Sequence, residues 1–326
     1  MLYYNSLLYY NIFMTNRIQT YLLTLILSVF LLISTANAEV KVVTSIKPIH
    51  SLVSYIMDGV GKPGVIVDGY NSPHGFSLKP SHAKMLENAD LVIWVGEDLE
   101  AFLEKPLETI AKKATNIELM DLKGIKKLEF REKNIFEGHE NHKEHDDHKE
   151  KDNHEDHAHG EHDPHVWLDP VNAKVFIKEI TKQLIKLDSA NSSIYKSNSK
   201  KALAEMDELI KDIKNNLKKD LRFVVFHDAY QYFEDRFGIK VLGALTVNTD
   251  VMPGAEQLSK IREAIEHEKV NCLFSEPQFN PSIIKSIAKD TSVKTGILDP
   301  LGAELDKGKD LYFDLLKNMA ASFKGC

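Results

Sequence analysis

Leu91-Val92-Ile93-Trp94-Val95 contains no polar side chain. A strand that is apolar on both faces has to be covered on both faces, which is the situation of an inner strand of a parallel sheet sandwiched by helices. The neighbouring sequence agrees. Val40-Lys41-Val42-Val43-Thr44 reads as a strand, and Pro48 to Met57 as a helix stopped by Gly59 and Gly61. Val65-Ile66-Val67 is a second strand, Ser81 to Asn88 a short helix with Ser81 as its N-cap, and Leu99 to Lys113 another helix. The alternation returns late in the chain. Arg222 to Phe226, Cys272 to Phe274 and Val293 to Leu298 read as strands. They are interleaved with helices over Ala229 to Phe237, Pro253 to Glu268 and Pro281 to Asp290, and a last helix runs from about Lys309 to Phe323. Apolar runs alternating with 3.6-period segments predict an α/β fold with parallel sheets.

Between the two halves the pattern is helical. Asp169-Pro170 has the form of an N-cap followed by Pro at the first helical position. Helical periodicity then continues to about Lys219, with a break near Asp188 to Asn191. Ser192 to Lys219 reads as one long helix with a single apolar stripe of Leu203, Met206, Leu209, Ile210 and Ile213. The expected organisation is an amino-terminal lobe over 39–170, linking helices over 171–220 and a carboxy-terminal lobe over 221–326. A single stiff helix between lobes predicts little hinge motion, unlike the extended crossovers of wide-opening clamps.

One window does not fit any packed element. From Glu137 to Asp163 there are eleven acidic residues, three lysines and eight histidines, with almost no aliphatic side chain. Such a segment cannot bury enough surface to order itself and reads as an inserted loop over 137–163. The formal charge of the whole chain is −7, so the acidic excess sits in this window and the rest is close to neutral. That balance argues against a nucleic-acid partner. His139, His142, His145, His148, His154, His157, His159 and His162, interleaved with carboxylates, can hold divalent cations weakly and exchange them fast.

The amino terminus has an export pattern. Arg17 precedes the apolar run from Tyr21 to Ile33, and Ala36-Asn37-Ala38 offers small residues at a cleavage site. The run is shorter than the ~20 apolar residues of a spanning helix. Residues 1–38 therefore read as a cleaved signal peptide, with translation starting at Met1 or Met14, and an uncleaved anchor as the alternative. No cysteine follows the cleavage site to carry an acyl anchor. Cys272 and Cys326 are the only cysteines. An exported compartment favours their pairing, and two unpaired thiols are the alternative.

Outside the acidic window six histidines remain: His50, His74, His82, His165, His227 and His267. His227 follows the strand ending at Phe226, and His74 lies in the loop after Val65–Val67, between Pro73 and Gly75. Carboxyl ends of parallel strands are where open α/β sheets bind ligands. Asp299 follows the strand ending at Leu298, and His165 precedes the helix start at Asp169. Three imidazoles and a carboxylate suit a borderline-soft divalent ion such as zinc. Asp299-Pro300 reads equally well as a cap-and-turn pair, and Asp169 reads as a cap. His50 reads as structural, His82 and His267 as solvated.

Taken in order, several motifs carry a resemblance. They are Ser72-Pro73-His74-Gly75-Phe76-Ser77-Leu78-Lys79-Pro80-Ser81, Leu86-Glu87-Asn88-Ala89-Asp90-Leu91-Val92, the histidine-rich insertion, and His165-Val166-Trp167-Leu168-Asp169-Pro170. Phe226-His227-Asp228-Ala229-Tyr230, Ser275-Glu276-Pro277-Gln278-Phe279 and Leu298-Asp299-Pro300-Leu301-Gly302 complete the set. The chain resembles the ZnuA-type periplasmic zinc-binding proteins of ABC importers along essentially its whole mature length. That resemblance implies two α/β lobes bridged by a long rigid helix, with metal bound between them. It implies His74, His165 and His227 as ligands, with Asp299 or water in the fourth place. The Glu that some members carry before the first His is replaced here by Pro73. It also implies a Cys272–Cys326 disulfide, transported Zn²⁺, delivery to an inner-membrane permease with a cytoplasmic ATPase, and no enzymatic activity; the sequence does not set the oligomeric state, and a monomer is the expectation. Manganese-preferring relatives typically carry Glu where His227 stands, so His227 favours zinc.

Manganese uptake is the variant of this reading. An exported zinc-dependent hydrolase is a rival, but the sequence has no H-E-x-x-H; His154-Glu155-Asp156-His157-Ala158 puts Ala where the second His belongs. A G-x-S-x-G nucleophile elbow is also absent. A metal buffer or adhesin, with the insertion as its functional part, is the third reading.

Overall fold

Val42–Ile46 (β1) is buried at every position, Thr44 and Ser45 included, as in a strand covered on both sides. A computed structural model of the chain describes residues 39–131, 162–217, 221–246, 249, 253–291 and 293–326, together with Met14 and Tyr21. Around β1 lie Gly64–Val67 (β2), Leu91–Trp94 (β3) and Thr115–Glu118 (β4), all parallel, in the order β2-β1-β3-β4. Lys47–Ile56 (α1), Pro80–Glu87 (α2) and Glu97–Thr109 (α3) make the crossovers.

The second sheet repeats this topology. Phe223–His227 (β5), Val241–Thr246 (β6), Cys272–Ser275 (β7) and Lys294–Ile297 (β8) run parallel in the order β6-β5-β7-β8. Pro170–Leu187 (α4) and Ser192–Asn216 (α5) stand between the sheets in sequence, separated by a 3₁₀ turn at Ser189–Asn191. Gln231–Phe237 (α6), Ala255–His267 (α7), Ser282–Thr291 (α8) and Leu311–Gly325 (α9) complete the described elements. The long α5 joins the two lobes and buries Tyr195, Ala202, Met206, Leu209 and Ile213 along one stripe. Leu203 and Ile210 of the expected stripe are only half-buried at its margin. No helix among the described residues is long and apolar enough to cross a membrane.

One apolar core runs through both lobes. It includes Val43 and Leu91 of the first sheet, Phe176 and Met206 of the linking helices, and Phe223 and Phe274 of the second sheet. The far face of the second sheet has its own cluster, with Val224, Phe226 and Leu273 under Ile261, Ile265 and Ile287. Helix α9 packs against α1 and α5, so the carboxy-terminal helix returns to the amino-terminal lobe. The Cys272–Cys326 disulfide ties the end of α9 to β7, with Cα atoms 5.8 Å apart.

Several local expectations are corrected. Strands β4 and β6 have no counterpart among the strands read from the sequence. Thr115-Asn116-Ile117-Glu118 is a half-exposed edge with one fully apolar residue, and Gly243 interrupts the β6 pattern. Helix α2 starts at Pro80, so Lys79 and not Ser81 is the N-cap residue. The acidic window does not extend unbroken to Asp163. His162 pairs with Glu129 in an antiparallel bridge, and Asp163 is 1% exposed. The signal-peptide reading, apart from Met14 and Tyr21, and His139, His142, His145, His148, His154, His157 and His159 lie outside the described residues.

Candidate metal centre

The repeated topology decides what can meet. In each sheet the carboxyl ends of the parallel strands carry the loops that face the other lobe, the usual place for a ligand in open α/β sheets. His227 is the last residue of β5, and Glu276 follows β7, the neighbour of β5 in the sheet. Adjacent strand ends place these two side chains together. His74 comes from the loop after β2, where Ser72 Oγ accepts a hydrogen bond from the His74 amide at 3.2 Å. His165 comes from the turn that leads through Val166–Leu168 into α4.

The three rings converge. Nε2 of His165 lies 3.4 Å from Nε2 of His74 and 3.3 Å from Nε2 of His227. One nitrogen from each of the three lies within 4.8 Å of the other two. His165 and His227 are 3% and 4% exposed, while His74 is half-buried at the mouth. Trp167, Phe279 and Leu301 wall the site.

Each buried imidazole is backed by a carboxylate. His165 Nδ1 is 2.7 Å from Asp163 Oδ1, which also accepts from the His165 amide at 2.9 Å. His227 Nδ1 is 2.7 and 2.8 Å from the two oxygens of Glu276, and the Tyr230 hydroxyl donates to Glu276 Oε1 at 2.9 Å. Burial, followed by repulsion from His227, holds the His165 imidazolium well below the usual histidine range. Burial alone would lower His227 too, but the charge and hydrogen bond of Glu276 outweigh it and raise its pKa. Burial pushes Asp163 up to about 7 and Asp228 up to about 6, the latter against the opposing charge of Arg131. Arg131 donates to both oxygens of Asp228 at 2.9 and 2.7 Å and to Glu234 at 2.7 Å, tying the segment before the insertion to the end of β5.

The structure does not bring Asp299 into this group. Its Oδ1 accepts from Gln278 Nε2 at 2.9 Å and from the amides of Leu301 and Gly302 at 3.1 and 2.9 Å, and its Oδ2 accepts from the Ala303 amide. Asp299 is the anchor of a turn, the cap-and-turn alternative of the sequence. That turn is pinned to the other lobe. Lys47 Nζ donates to the carbonyls of Gly302, Ala303 and Leu305, and Trp167 Nε1 donates to the Pro300 carbonyl at 2.8 Å.

The other candidates have structural places. Asp169 caps α4 through the Val171 amide at 2.8 Å and pairs with Arg236 at 2.6 and 2.7 Å. His50 is buried with Nε2 3.2 Å from the Pro63 carbonyl. His82 stacks on Phe76 and accepts the Lys79 amide, and His267 is exposed beside Glu268. Sequence reasoning missed Asp163, Glu276, Tyr230, Arg131 and Lys47 as parts of this centre. Glu276 did carry a signal, a carboxylate directly after a strand end. Asp163 was hidden among the eleven acidic residues of the insertion.

Comparison with known proteins agrees with this geometry. Residues 42–326 match the family described as "Zinc-uptake complex component A periplasmic", ZnuA. The chain is 43% identical over 311 residues to the High-affinity zinc uptake system protein ZnuA of Brucella abortus, covering 90% of this chain and 93% of that protein. It is 37% identical over 292 residues to the protein of that name from Yersinia pestis, covering 89% and 92%. A solved crystal structure of ZnuA superposes with a TM-score of 0.72 at 24% identity, over 88% of this chain and 98% of that one. A Mn-bound periplasmic metal binding protein from Candidatus Liberibacter asiaticus shares the fold with a TM-score of 0.69 at 21% identity, over 87% and 97%. With its two matching parallel sheets, bridging helix and three-histidine centre, the chain belongs to the ZnuA family of periplasmic zinc-uptake components.

Proposed function

We propose that His74, His165 and His227 bind one Zn²⁺ ion as cargo, each through Nε2, and that the protein carries it through the periplasm to an ABC permease. The observation that carries this reading is the spacing of the three Nε2 atoms, 3.4 and 3.3 Å around His165. Tetrahedral zinc with Zn–N bonds of ~2.0–2.1 Å places its ligand nitrogens about 3.3 Å apart. Three imidazole lone pairs facing one another repel unless a cation lies between them. Neutral nitrogen ligands match zinc's borderline softness. A water completes the tetrahedron, since the Asp299 carboxylate is engaged by its own turn.

The wider assignment rests on the family and the sequence. Residues 1–38 are a cleaved signal peptide, residues 39–170 and 221–326 are the two lobes, and 171–220 link them. The protein works as a monomer with a membrane permease and its cytoplasmic ATPase, binds cargo and catalyses nothing. The histidine-rich insertion collects zinc weakly and feeds the centre.

Chelator-competition titration with Zn²⁺ and Mn²⁺ tests the cargo. One tight zinc site is expected to survive deletion of residues 137–161, to disappear in His165→Ala, and to resist competition by Mn²⁺. Unchanged tight binding in His165→Ala would overturn the assignment.

A further inference from the structure

Three consecutive residues hold the two acidic residues behind the metal centre, Tyr230 and Gln231 through a carboxylate and Tyr232 through a backbone carbonyl. The Tyr230 hydroxyl donates to Glu276 Oε1 at 2.9 Å, and Glu276 backs His227. Gln231 Nε2 donates to Asp163 Oδ2 at 3.2 Å, and the Tyr232 hydroxyl donates to the Asp163 carbonyl at 2.7 Å. Asp163 backs His165. Tyr230 and Tyr232 are 0% and 1% exposed, and Asp163 and Glu276 are 1% and 3% exposed. The same short segment reaches the strand that precedes the insertion. Gln231 Nε2 also donates to the Glu129 carbonyl at 3.0 Å, and the Leu128 amide donates to the Tyr232 hydroxyl at 3.0 Å. Tyr230 to Tyr232 begin three residues after His227, so the strand end that supplies one ligand also braces the support of another.

We propose that Tyr230, Gln231 and Tyr232 act as one brace that positions Glu276 behind His227 and Asp163 behind His165, fixing the aim of both Nε2 atoms as a pair. The inference rests on the zinc reading above and extends it to five residues outside the ligand set. A carboxylate that accepts from Nδ1 leaves Nε2 as the ring's free lone pair and sets the ring's rotation, and partners of this kind typically affect metal affinity ~10–100-fold. Two such supports held by one helical turn cannot move independently. Loosening the turn on the His227 side therefore disturbs His165 as well, although Tyr230 does not touch Asp163 in any hydrogen bond described above.

The test uses the exported chain and two readouts. Zinc affinity is measured by chelator competition for the wild type, Glu276→Gln, Glu276→Leu, Tyr230→Phe, Tyr232→Phe and the Tyr230→Phe/Tyr232→Phe pair. Imidazole ¹⁵N spectra of the metal-free protein report which ring nitrogen carries the proton. Glu276→Leu is expected to lose ~10–100-fold in affinity, and Glu276→Gln, which keeps an acceptor, to recover part of it. In the wild type, at a pH alkaline enough to leave both rings neutral, His165 and His227 should each carry the proton on Nδ1. The two tyrosine variants, which each delete one hydroxyl, should be non-additive together. Wild-type affinity in folded Glu276→Leu, or strictly additive tyrosine effects with unchanged ring spectra, would overturn the brace. Should Glu276→Leu not fold, the tyrosine pair and the spectra decide alone. Absence of zinc binding by the wild type, or its retention in His227→Ala, would instead sink the zinc reading itself, so the two failures are told apart.

Discussion

Replacing Lys47 by Met tests whether the turn after β8 is held by the opposite lobe. Lys47 is 4% exposed, and its Nζ donates to the carbonyls of Gly302, Ala303 and Leu305. Each hydrogen bond to a charged group contributes ~1.5–3 kcal/mol. Two effects offset the sum. The ammonium is desolvated, which lowers its pKa despite the attraction of Asp68 and Asp299. It also stands at the start of α1, where a positive charge costs ~0.3–1 kcal/mol against the helix dipole. Met keeps the stem and returns both of these costs, but leaves three carbonyls without their donor. The expected net loss is about 3 kcal/mol, or roughly 5 °C in melting temperature for a chain of this size. Because Pro300 and Leu301 line the cavity beside His74, His165 and His227, zinc bound there should also dissociate faster. Calorimetric melting and stopped-flow chelation read the two effects. A Lys47→Met protein melting within about 2 °C of wild type would refute the idea that this contact locks the lobes.

Four further outcomes are expected. Glu100 is fully buried, accepts from the Val95 and Gly96 amides, and is pushed up to about 7 by burial. Its folded pKa exceeds its unfolded value, so its contribution is intact below about pH 4.5 and is lost as pH rises through 7. Wild type should lose on the order of 3 kcal/mol relative to Glu100→Gln across that window in pH-dependent denaturant melts; parallel curves would contradict the assignment. Zinc affinity should fall with acidification, beginning above the usual histidine range, because Glu276 favours the imidazolium of His227 with which the metal must compete. A flat titration between pH 8 and 6 would argue against His227 as a ligand. Reduction or Cys326→Ser opens a loop with a sequence separation of 54 and should cost roughly 4 kcal/mol, seen as a lower melting temperature. Asp299→Asn should leave the zinc-edge absorption spectrum unchanged while lowering thermal stability, since Asp299 anchors a turn; a changed coordination shell would restore it as a ligand.

Small-angle scattering addresses the linking helix. With α5 spanning Ser192–Asn216 and the core continuous through both lobes, zinc should alter the radius of gyration very little. A large compaction on binding would show that the lobes hinge.

The chain alone determined the layer architecture and the three histidines. Strands such as Leu91–Trp94 and Phe223–His227, the latter apolar up to its final histidine, are runs whose only stable environment is a sheet covered on both faces, and local pattern suffices to recognise that. His74, His165 and His227 stood out because they lie beside such strands or at a helix start, outside the acidic tract. Edges were less legible, because β4 and β6 lack a continuous apolar run. Tertiary structure decided everything that depends on sequence-distant neighbours. Glu276 meets His227 only because β7 lies beside β5. Asp163 becomes the support of His165 rather than one acid among many because Tyr232 and Gln231 bury it. Asp299, equally plausible as ligand or cap from its Asp-Pro context, becomes an anchor because three backbone amides of its own turn take its oxygens. Periodicity reports which faces a segment hides; it carries no information about which distant carboxylate arrives to fill the space behind an imidazole.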